Sequence, residues 1–364
     1  MPSEKKRLVR VIKGMPDVQL SAEEFRERFA QRFYDPAFDS AKNEFEKIAT
    51  IAYEAYKEYR KSPRTKPAGP GFADPAFPLP VEWLETRKQI ADAEQMHRDQ
   101  KAKSRILLIN GAARSDQTCP GEMSKTYRMA QLAREVIDQQ EDCEVDFLDL
   151  SRLVSEYGRV IYPCKACVST AMPLCHWPCS CYPNHAMGQS GDWMNEIYPR
   201  WVRAHGIFIV CPVYWYQAPS VLKLMIDRLV CADGGNPDPT STRGKNPALA
   251  KELELAGWHY PKHLSGRAFS VVVHGDAAGV EILTHNLVDW LTDMELIPAG
   301  PRASLGRYVG YYAPYATSHD ALDRDASLQI EIKNQAQTLV EMVRQIRSGA
   351  YHRPDANLEE PRKK

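Results

Sequence analysis

From Arg105 onwards, the chain alternates short apolar segments with amphipathic ones, and this alternation limits the fold more than any other feature. The segments "RILLIN", "EVDFLDL", "GIFIVCPVYW" and "AFSVVVHGD" have the length and apolar content of buried strands. Stretches such as "SKTYRMAQLAREVIDQQ" and "LQIEIKNQAQTLVEMVRQI" repeat apolar residues at helical spacing. Strands that alternate with helices in this way form a parallel sheet covered on both faces.

A fifth short strand is predicted near "ELIPAG", between two of the helical segments. Five strands suit the doubly wound, flavodoxin-like order, in which ligands bind at the carboxyl ends of the strands. We therefore predict an α/β fold with a flavodoxin-like five-stranded parallel sheet for residues 101–350, followed by a polar tail at 351–364.

The first hundred residues have a different composition. The segment "NEFEKIATIAYEAYKEYR" reads as an amphipathic helix, and "VEWLETRKQIADAEQMHRDQ" as a charged one. Between them, residues 61–80 contain six prolines, a composition that disfavours both helix and sheet. We interpret residues 1–100 as a helical and Pro-rich N-terminal arm that packs on the main body or on a neighbouring subunit.

Charge and hydropathy exclude several classes of partner. Lys and Arg together number 47, as do Asp and Glu, and this balance disfavours nucleic acid as a partner. No run of eighteen uncharged apolar residues occurs, so we expect no membrane span. The basic start "MPSEKKRLVRVIKGMPD" is not followed by an apolar run of signal-peptide length. Nine cysteines in such a chain indicate cytoplasmic thiols or metal ligands.

The loop after the first strand, "NGAARSDQTCPGEMSKT", has the composition of a phosphate site. A phosphate needs small residues for close approach, polar donors and a helix N-terminus. Gly111, Arg114, Ser124, Lys125 and Thr126 supply these groups. The alternative is an ordinary strand-to-helix loop in which the serine caps the helix.

The loop after the third strand, "CPVYWYQAPSVLKLMIDR", suits a flat ring. Pro212, Val213, Tyr214 and Trp215 follow the strand directly and offer apolar walls and backbone hydrogen bonds. The alternative is an aromatic cluster that simply belongs to the core.

The loop after the fourth strand, "HGDAAGVE", leaves room for the edge of a ring beside Gly275. His274 and Asp276 are positioned to reach polar atoms of such a ring. The alternative for His274 is a structural residue with its hydrogen bonds satisfied.

These loops together resemble those of the NADPH-dependent FMN reductase group of the flavodoxin-like superfamily, from about Arg105 to about Ile346. The first motif of that group, Gly-Ser-x-Arg followed by a Ser/Asn-Thr segment, is matched at Gly111, Arg114 and Ser124–Thr126, with Ala112 in place of the serine and an insertion at 115–123. The second motif is matched at Pro212, Tyr214, Leu222, Lys223, Ile226, Asp227 and Arg228.

The resemblance implies an FMN-dependent NAD(P)H oxidoreductase that passes electrons to a quinone, nitroaromatic, azo compound or flavin. The flavin carries the chemistry, so no catalytic side chain is predicted. A second subunit commonly covers the flavin in this group, which implies a homodimer or homotetramer. The alternatives are a flavin electron carrier or redox sensor without turnover of its own, and an interaction protein that has lost the flavin.

The segment "CKACVSTAMPLCHWPCSC" is the candidate metal site, and it resembles the cluster loop of iron–sulfur flavoproteins. That loop has the pattern Cys-x2-Cys-x2-Cys with a fourth cysteine nearby, and Thr170 stands at the third position here. The alternatives are a [4Fe–4S] cluster, tetrahedral zinc with His176 or His185 in reserve, and thiols without metal. The candidate ligands are Cys164, Cys167, Cys175, Cys179 and Cys181.

Overall fold

The computed structural model describes residues 19–116, 123–354 and Leu358. The basic N-terminal stretch, most of the insertion at 115–123 and most of the tail at 351–364 lie outside the described residues. The chain divides into two compact units. The first unit comprises the described residues up to Arg87, Cys164–Asp192 and Gly234–Pro261, and the second unit comprises Lys88–Pro163, Trp193–Asp233 and the described residues from Lys262 onwards.

The regular elements follow the alternation expected from Arg105 onwards. The helices are α1 (Ala22–Ala30), α2 (Lys42–Lys57), α3 (Val81–Arg98), α4 (Lys125–Asp138), α5 (Arg152–Ser155), α6 (Met194–Arg203), α7 (Ser220–Arg228), α8 (Val230–Gly234), α9 (Pro247–Leu255), α10 (Val280–Asp293), α11 (His319–Arg324) and α12 (Ala326–Arg347). The strands are β1 (Thr65–Pro67), β2 (Pro78–Pro80), β3 (Ser104–Asn110), β4 (Cys143–Asp149), β5 (Gly206–Pro212), β6 (Ala268–Gly275), β7 (Ile297–Pro298) and β8 (Ser304–Tyr308).

The second unit contains a parallel sheet with the strand order β4-β3-β5-β6. Beyond β6, the last position is divided: β7 pairs with the start of β6, and β8 pairs with its remainder. This is the flavodoxin-like order, so the predicted fold is confirmed. The sequence predicts the fifth strand near "ELIPAG", but β7 has only two residues there and β8 supplies the longer pairing.

The core of the second unit forms where the sheet packs against α4 and α12. Strands β5 and β6 are buried at every position, which is why they read as continuous apolar runs. Their side chains join one large cluster that includes Phe208, Met129 and Leu339. No helix among the described residues is long and apolar enough to cross a membrane.

The Pro-rich segment corrects one expectation. Residues 61–80 are predicted to exclude a sheet, yet β1 and β2 pair antiparallel, with Thr65 opposite Pro80 and Pro67 opposite Pro78. Prolines are tolerated because each strand of a two-stranded ribbon is an edge strand. Leu79 also packs with Phe72 and Trp83 in a small buried cluster, so the segment is held on the first unit.

Ion pairs lie along both outer strands of the parallel sheet. On β4, Asp146 accepts from Arg200 at 3.0 Å and also pairs with Arg203. On β8, Arg307 donates to Glu331 at 2.9 Å. The two outer strands therefore carry fixed charges, in contrast to the apolar strands between them.

Two stacked histidines in the second unit predict a pH dependence of stability. The rings of His97 and His205 lie 4.7 Å apart. Burial, with Arg267 next in importance, lowers the pKa of His97 to about 3, and burial, with Arg347 next, lowers the pKa of His205 to about 4. Both imidazoles are therefore neutral in the folded protein at pH 5, whereas the unfolded chain binds protons with a pKa near 6.5.

Because the unfolded state binds more protons, the free energy of unfolding should fall as the pH drops from about 6.5 towards 4. Urea unfolding followed at pH 7 and at pH 4.5 measures this loss. His205→Asn should flatten the dependence, whereas His285→Asn, at an exposed position, should leave the wild-type slope. Equal slopes for all three proteins would contradict the assignment.

Candidate functional site

Residues at the carboxyl ends of β3, β5 and β6 line a cavity of about 620 Å³ in the second unit. This is the size of protein pockets that hold a cofactor. Every residue predicted to bind the cofactor lines it except Gly111. The lining residues are Ala112, Arg114, Met123, Ser124, Lys125, Thr126, Pro212, Val213, Tyr214, Trp215, His274, Gly275, Asp276 and Ser318.

Gly111 has a packing reason to be glycine. A Cβ atom there would lie 2.9 Å from the Cβ of Cys211 and 3.1 Å from the carbonyl oxygen of Val210. The N–H of Gly111 donates to that same carbonyl at 2.8 Å. The missing side chain therefore lets the chain after β3 lie close to β5, below the loops that line the cavity.

The start of α4 gives the cavity an anion-binding group. Ser124 is the N-cap residue, and its side chain accepts from the N–H of Tyr127 at 3.3 Å. The serine thus caps the helix, as the alternative interpretation of this loop expects, and it also lines the cavity. The first N–H groups of a helix and its dipole favour an anion, and Arg114 lines the same cavity.

Lys125 joins three loops around the cavity. Its Nζ donates to Oδ1 of Asp276 at 2.6 Å and to the carbonyl oxygen of Val309 at 2.8 Å. Lys125 is itself buried, whereas the carboxylate of Asp276 is half exposed. One ammonium group therefore holds the start of α4, the loop after β6 and the loop after β8 together.

Thr126 and His274 form a second link, since Oγ1 of Thr126 lies 2.8 Å from Nε2 of His274. Burial, and then the charge of Lys125, lowers the pKa of His274 to about 3, so the ring is neutral near pH 7. Its Nδ1 is buried with no hydrogen-bond partner among the described residues. Buried polar atoms are normally paired, so this atom indicates a site that a ligand completes.

The aromatic loop after β5 is fixed to β6 and open to solvent. The N–H of Val213 donates to the carbonyl of His274 at 2.8 Å. Tyr214, Trp215 and Tyr216 are 39%, 93% and 51% exposed. The alternative interpretation, an aromatic cluster in the core, is therefore wrong. Tyr214 and Trp215 stand at the rim of the cavity.

Sequence reasoning missed Met123, Ser318 and Ala112 as lining residues. Met123 and Ala112 flank predicted residues, so their neighbours could have indicated them. Ser318 precedes α11, in a segment with no motif, and only the fold brings it to the cavity. No feature of the sequence around Ser318 could have identified it.

The five cysteines of the candidate metal loop lie in the first unit. Cys167 forms hydrogen bonds with two of the other cysteines. The bond with Cys175 raises the pKa of the Cys167 thiol and the bond with Cys181 lowers it, and the pKa remains above its ordinary value. Nζ of Lys245 lies 3.4 Å from the sulfur of Cys167. The Cys167 thiol therefore lies beside a lysine ammonium group.

A single bound ion does not fit this arrangement as it stands. Among the described residues, the one set of three or more ligand atoms within 4.8 Å of one another is His319, Asp320 and Asp323, outside the cysteine loop. His176 bonds Ser180 at 2.5 Å and Thr242 at 3.1 Å through its two ring nitrogens. Both nitrogens are thus engaged and neither is open to zinc.

Comparison with known protein families gives one match. A family model described as NADPH-dependent FMN reductase matches residues 104–308. No curated protein matches the chain.

Three solved structures match the chain at low identity. RosB with a bound 8-demethyl-8-formylriboflavin-5'-phosphate intermediate is 12% identical and covers 72% of this chain and 95% of its own, with a TM-score of 0.43. The apo form of the NADH:FMN oxidoreductase EmoB is 14% identical, and the match covers 71% of this chain and 97% of EmoB, with a TM-score of 0.36. An azoreductase from Bacillus anthracis is 10% identical, and the match covers 67% of this chain and 99% of the azoreductase, with a TM-score of 0.32.

Proposed function

Since the chain belongs to the NADPH-dependent FMN reductase family, we propose that it passes electrons from NADH or NADPH, by way of FMN, to a small-molecule acceptor. Candidate acceptors are quinones, nitroaromatics, azo compounds and free flavins. The cavity is the observation that supports this proposal most. The start of α4, which suits an anion, and the loop after β5, which offers apolar walls to a flat ring, line the same cavity.

The chain's own residues bind and orient the cofactor. FMN, when bound, supplies the chemistry that accepts a hydride and passes electrons on. Arg114, Ser124 and the first N–H groups of α4 suit its phosphate. Pro212 and Val213 offer an apolar wall to its ring. Lys125 is also a predicted phosphate ligand, although its ammonium group already bonds Asp276 and Val309.

The net reaction balances without a covalent bond to the protein. NAD(P)H loses two electrons and one proton as a hydride. The acceptor gains two electrons and two protons, of which the second comes from solvent. The residues around the cavity are thus required to bind, to orient and to fix charge.

The deciding experiment is anaerobic reduction of the purified, FMN-loaded protein. The flavin absorbance should bleach on addition of NADH or NADPH and return on addition of an acceptor. Protein that binds no FMN would overturn the proposal. Flavin that bleaches but shows no multiple turnover with any acceptor would favour the alternative, an electron carrier.

For the cysteine loop we propose a [4Fe–4S] cluster, with the resemblance to iron–sulfur flavoproteins as the first support. Its ligands would be Cys164, Cys167, Cys175 and either Cys179 or Cys181. The second support is charge. The Nζ of Lys61 donates to the carbonyl of Ser180 beside these thiols. Among the ion pairs of the described residues, neither Lys61 nor Lys245 has a carboxylate partner. A thiolate-bound cluster is anionic and would balance both ammonium groups.

Iron, sulfide and zinc analysis of anaerobically purified protein tests this proposal. Four irons and acid-labile sulfide per chain are expected. Cys167→Ser should lower the iron content, whereas Cys231→Ser, a buried cysteine of the second unit, should not. If the protein contains zinc and no iron, the loop is a zinc site and the cluster proposal is wrong. If it contains no metal, the loop has a structural role only.

We also propose that the chain is a homodimer or homotetramer to which the N-terminal arm contributes. Helices α1 and α2 border an apolar cleft of about 350 Å³ in the first unit. Phe33, Phe38 and Ile48 line it and are 38%, 47% and 55% exposed. A second copy of the chain would cover this surface.

Light scattering on the full chain tests the assembly. Phe38→Glu combined with Ile48→Glu places two charges in the cleft and should lower the mass of the main species. Tyr157→Glu, at a fully exposed position of the second unit, serves as the matched control. A wild-type protein that is already monomeric, or a double variant of unchanged mass, would contradict the proposal.

A further inference from the structure

The turn after β5 holds two aromatic residues in a left-handed backbone conformation. Trp215 has φ of 49° and Tyr216 has φ of 66°. The N–H of Tyr214 donates to the carbonyl of Gln217 at 2.9 Å, and the reverse bond measures 3.0 Å. This is a two-residue hairpin turn with positive φ at both central positions, which sequences normally fill with Asn-Gly. Bulky side chains are strained there.

Tyr216 anchors this turn to the neighbouring loop. Gly279 has φ of 89°, and a Cβ atom on it would lie 3.0 Å from the ring of Tyr216 and 3.1 Å from the side chain of Val213. The tyrosine ring therefore rests against the glycine and gains packing from its position. Such packing explains why an aromatic residue stands at this second position of the turn.

Within the part of the chain that the structure describes, no comparable packing accounts for the strained conformation of Trp215. The residue lines the cavity and is nevertheless 93% exposed. Strained residues persist where the surrounding structure and function require them, and they cluster at binding sites. An exposed indole at the rim of a cavity presents a flat, electron-rich face to whatever enters.

We propose that Trp215 is the stacking surface for an aromatic electron acceptor at the rim of the cavity. This inference rests on the proposed function and names the acceptor class: a planar, electron-poor ring, as in quinones and nitroaromatics. The electron-rich indole face attracts such a ring. Ferricyanide is an inorganic acceptor without a flat face, so stacking on the indole does not favour its binding. Two ferricyanide ions oxidise one NAD(P)H.

Three substitutions of Trp215 distinguish the effect of its aromatic ring from the effect of its strained backbone. Trp215→Phe keeps an aromatic face and the strained backbone. Trp215→Ala removes the face and keeps the strain. Trp215→Asn removes the face and relieves the strain, because asparagine adopts positive φ more readily than alanine. Tyr216 stays in place in all three, so the anchor on Gly279 is retained.

The first measurement is the ratio of kcat/KM for menadione to kcat/KM for ferricyanide in FMN-loaded protein. We expect this ratio to fall by about threefold to tenfold in the Ala and Asn variants, and to stay near wild type in the Phe variant. A change in flavin content acts on both acceptors and cancels in the ratio. The second measurement is the melting temperature, which should be about 2 °C higher for the Asn variant than for the Ala variant.

The outcomes are distinguishable. A wild type that oxidises NAD(P)H with neither acceptor removes the proposed function and this inference with it. Wild-type turnover with an unchanged ratio in the Ala and Asn variants overturns this inference alone. If those variants instead bind FMN more weakly at an unchanged ratio, Trp215 contacts the flavin and not the acceptor. An Asn variant that melts no higher than the Ala variant overturns the argument from strain.

Discussion

Replacing Lys125 with methionine is expected to weaken FMN binding at least tenfold. The substitution keeps an unbranched side chain of nearly the same length and removes the ammonium group that bonds Asp276 and Val309. Each hydrogen bond that involves a charged group contributes roughly 1.5–3 kcal/mol, and about 1.4 kcal/mol is a factor of ten in affinity. The variant also leaves the carboxylate of Asp276 without its cation beside a cavity that we propose receives a phosphate.

The measurement is a fluorescence titration of the apoprotein with FMN. Lys88→Met is the matched control, since Lys88 bonds Asp92 at 2.7 Å on the exposed face of a helix, where such pairs contribute little. A dissociation constant that is the same in wild type, Lys88→Met and Lys125→Met would show that the link between the three loops has no part in cofactor binding.

Replacing Trp201 with alanine should cost about 3–5 kcal/mol of the free energy of unfolding. Trp201 is completely buried in α6 and meets the ring of Trp290 edge to face at 6.0 Å. Deleting the indole leaves a cavity that the close-packed interior fills only in part. Natural proteins are stable by about 5–15 kcal/mol, so this loss is a large fraction of the total.

Urea unfolding measures the loss, and Trp215→Ala is the control for the same change of residue at an exposed position. The control should stay within about 0.5 kcal/mol of wild type. A loss below about 1 kcal/mol for Trp201→Ala would mean that the helix does not pack as described.

The sequence predicts the parallel sheet because its inner strands are buried on both faces. A strand such as β5 then consists of consecutive apolar residues, and the following loop starts at a predictable place. Strand β8 could not be read in the same way. Only Leu305 of its five residues is buried, because an outer strand is largely exposed, and no apolar run marks it.

The sequence predicts which loops form the candidate site, but it does not predict the contacts between them. The loop compositions indicate which segments line the cavity, since the carboxyl ends of parallel strands meet at one edge. The partners of Lys125 are 151 and 184 residues away, and no local pattern encodes a contact at such separation. The turn at Trp215 and Tyr216 is likewise not marked in the sequence, because neither position holds the glycine or asparagine typical of a tight turn.

The ion pairs on β4 and β8 have a consequence for how copies of this chain can associate. An outer strand with free N–H and C=O groups is a template on which another chain can add a strand, a route to aggregates and fibres. Here Asp146 on β4 and Arg307 on β8 are held by charged partners. Charged side chains on an outer strand are one of the means by which proteins oppose such strand addition. Continuous sheets that run from one molecule to the next are thereby disfavoured, and association is directed to surfaces made of side chains.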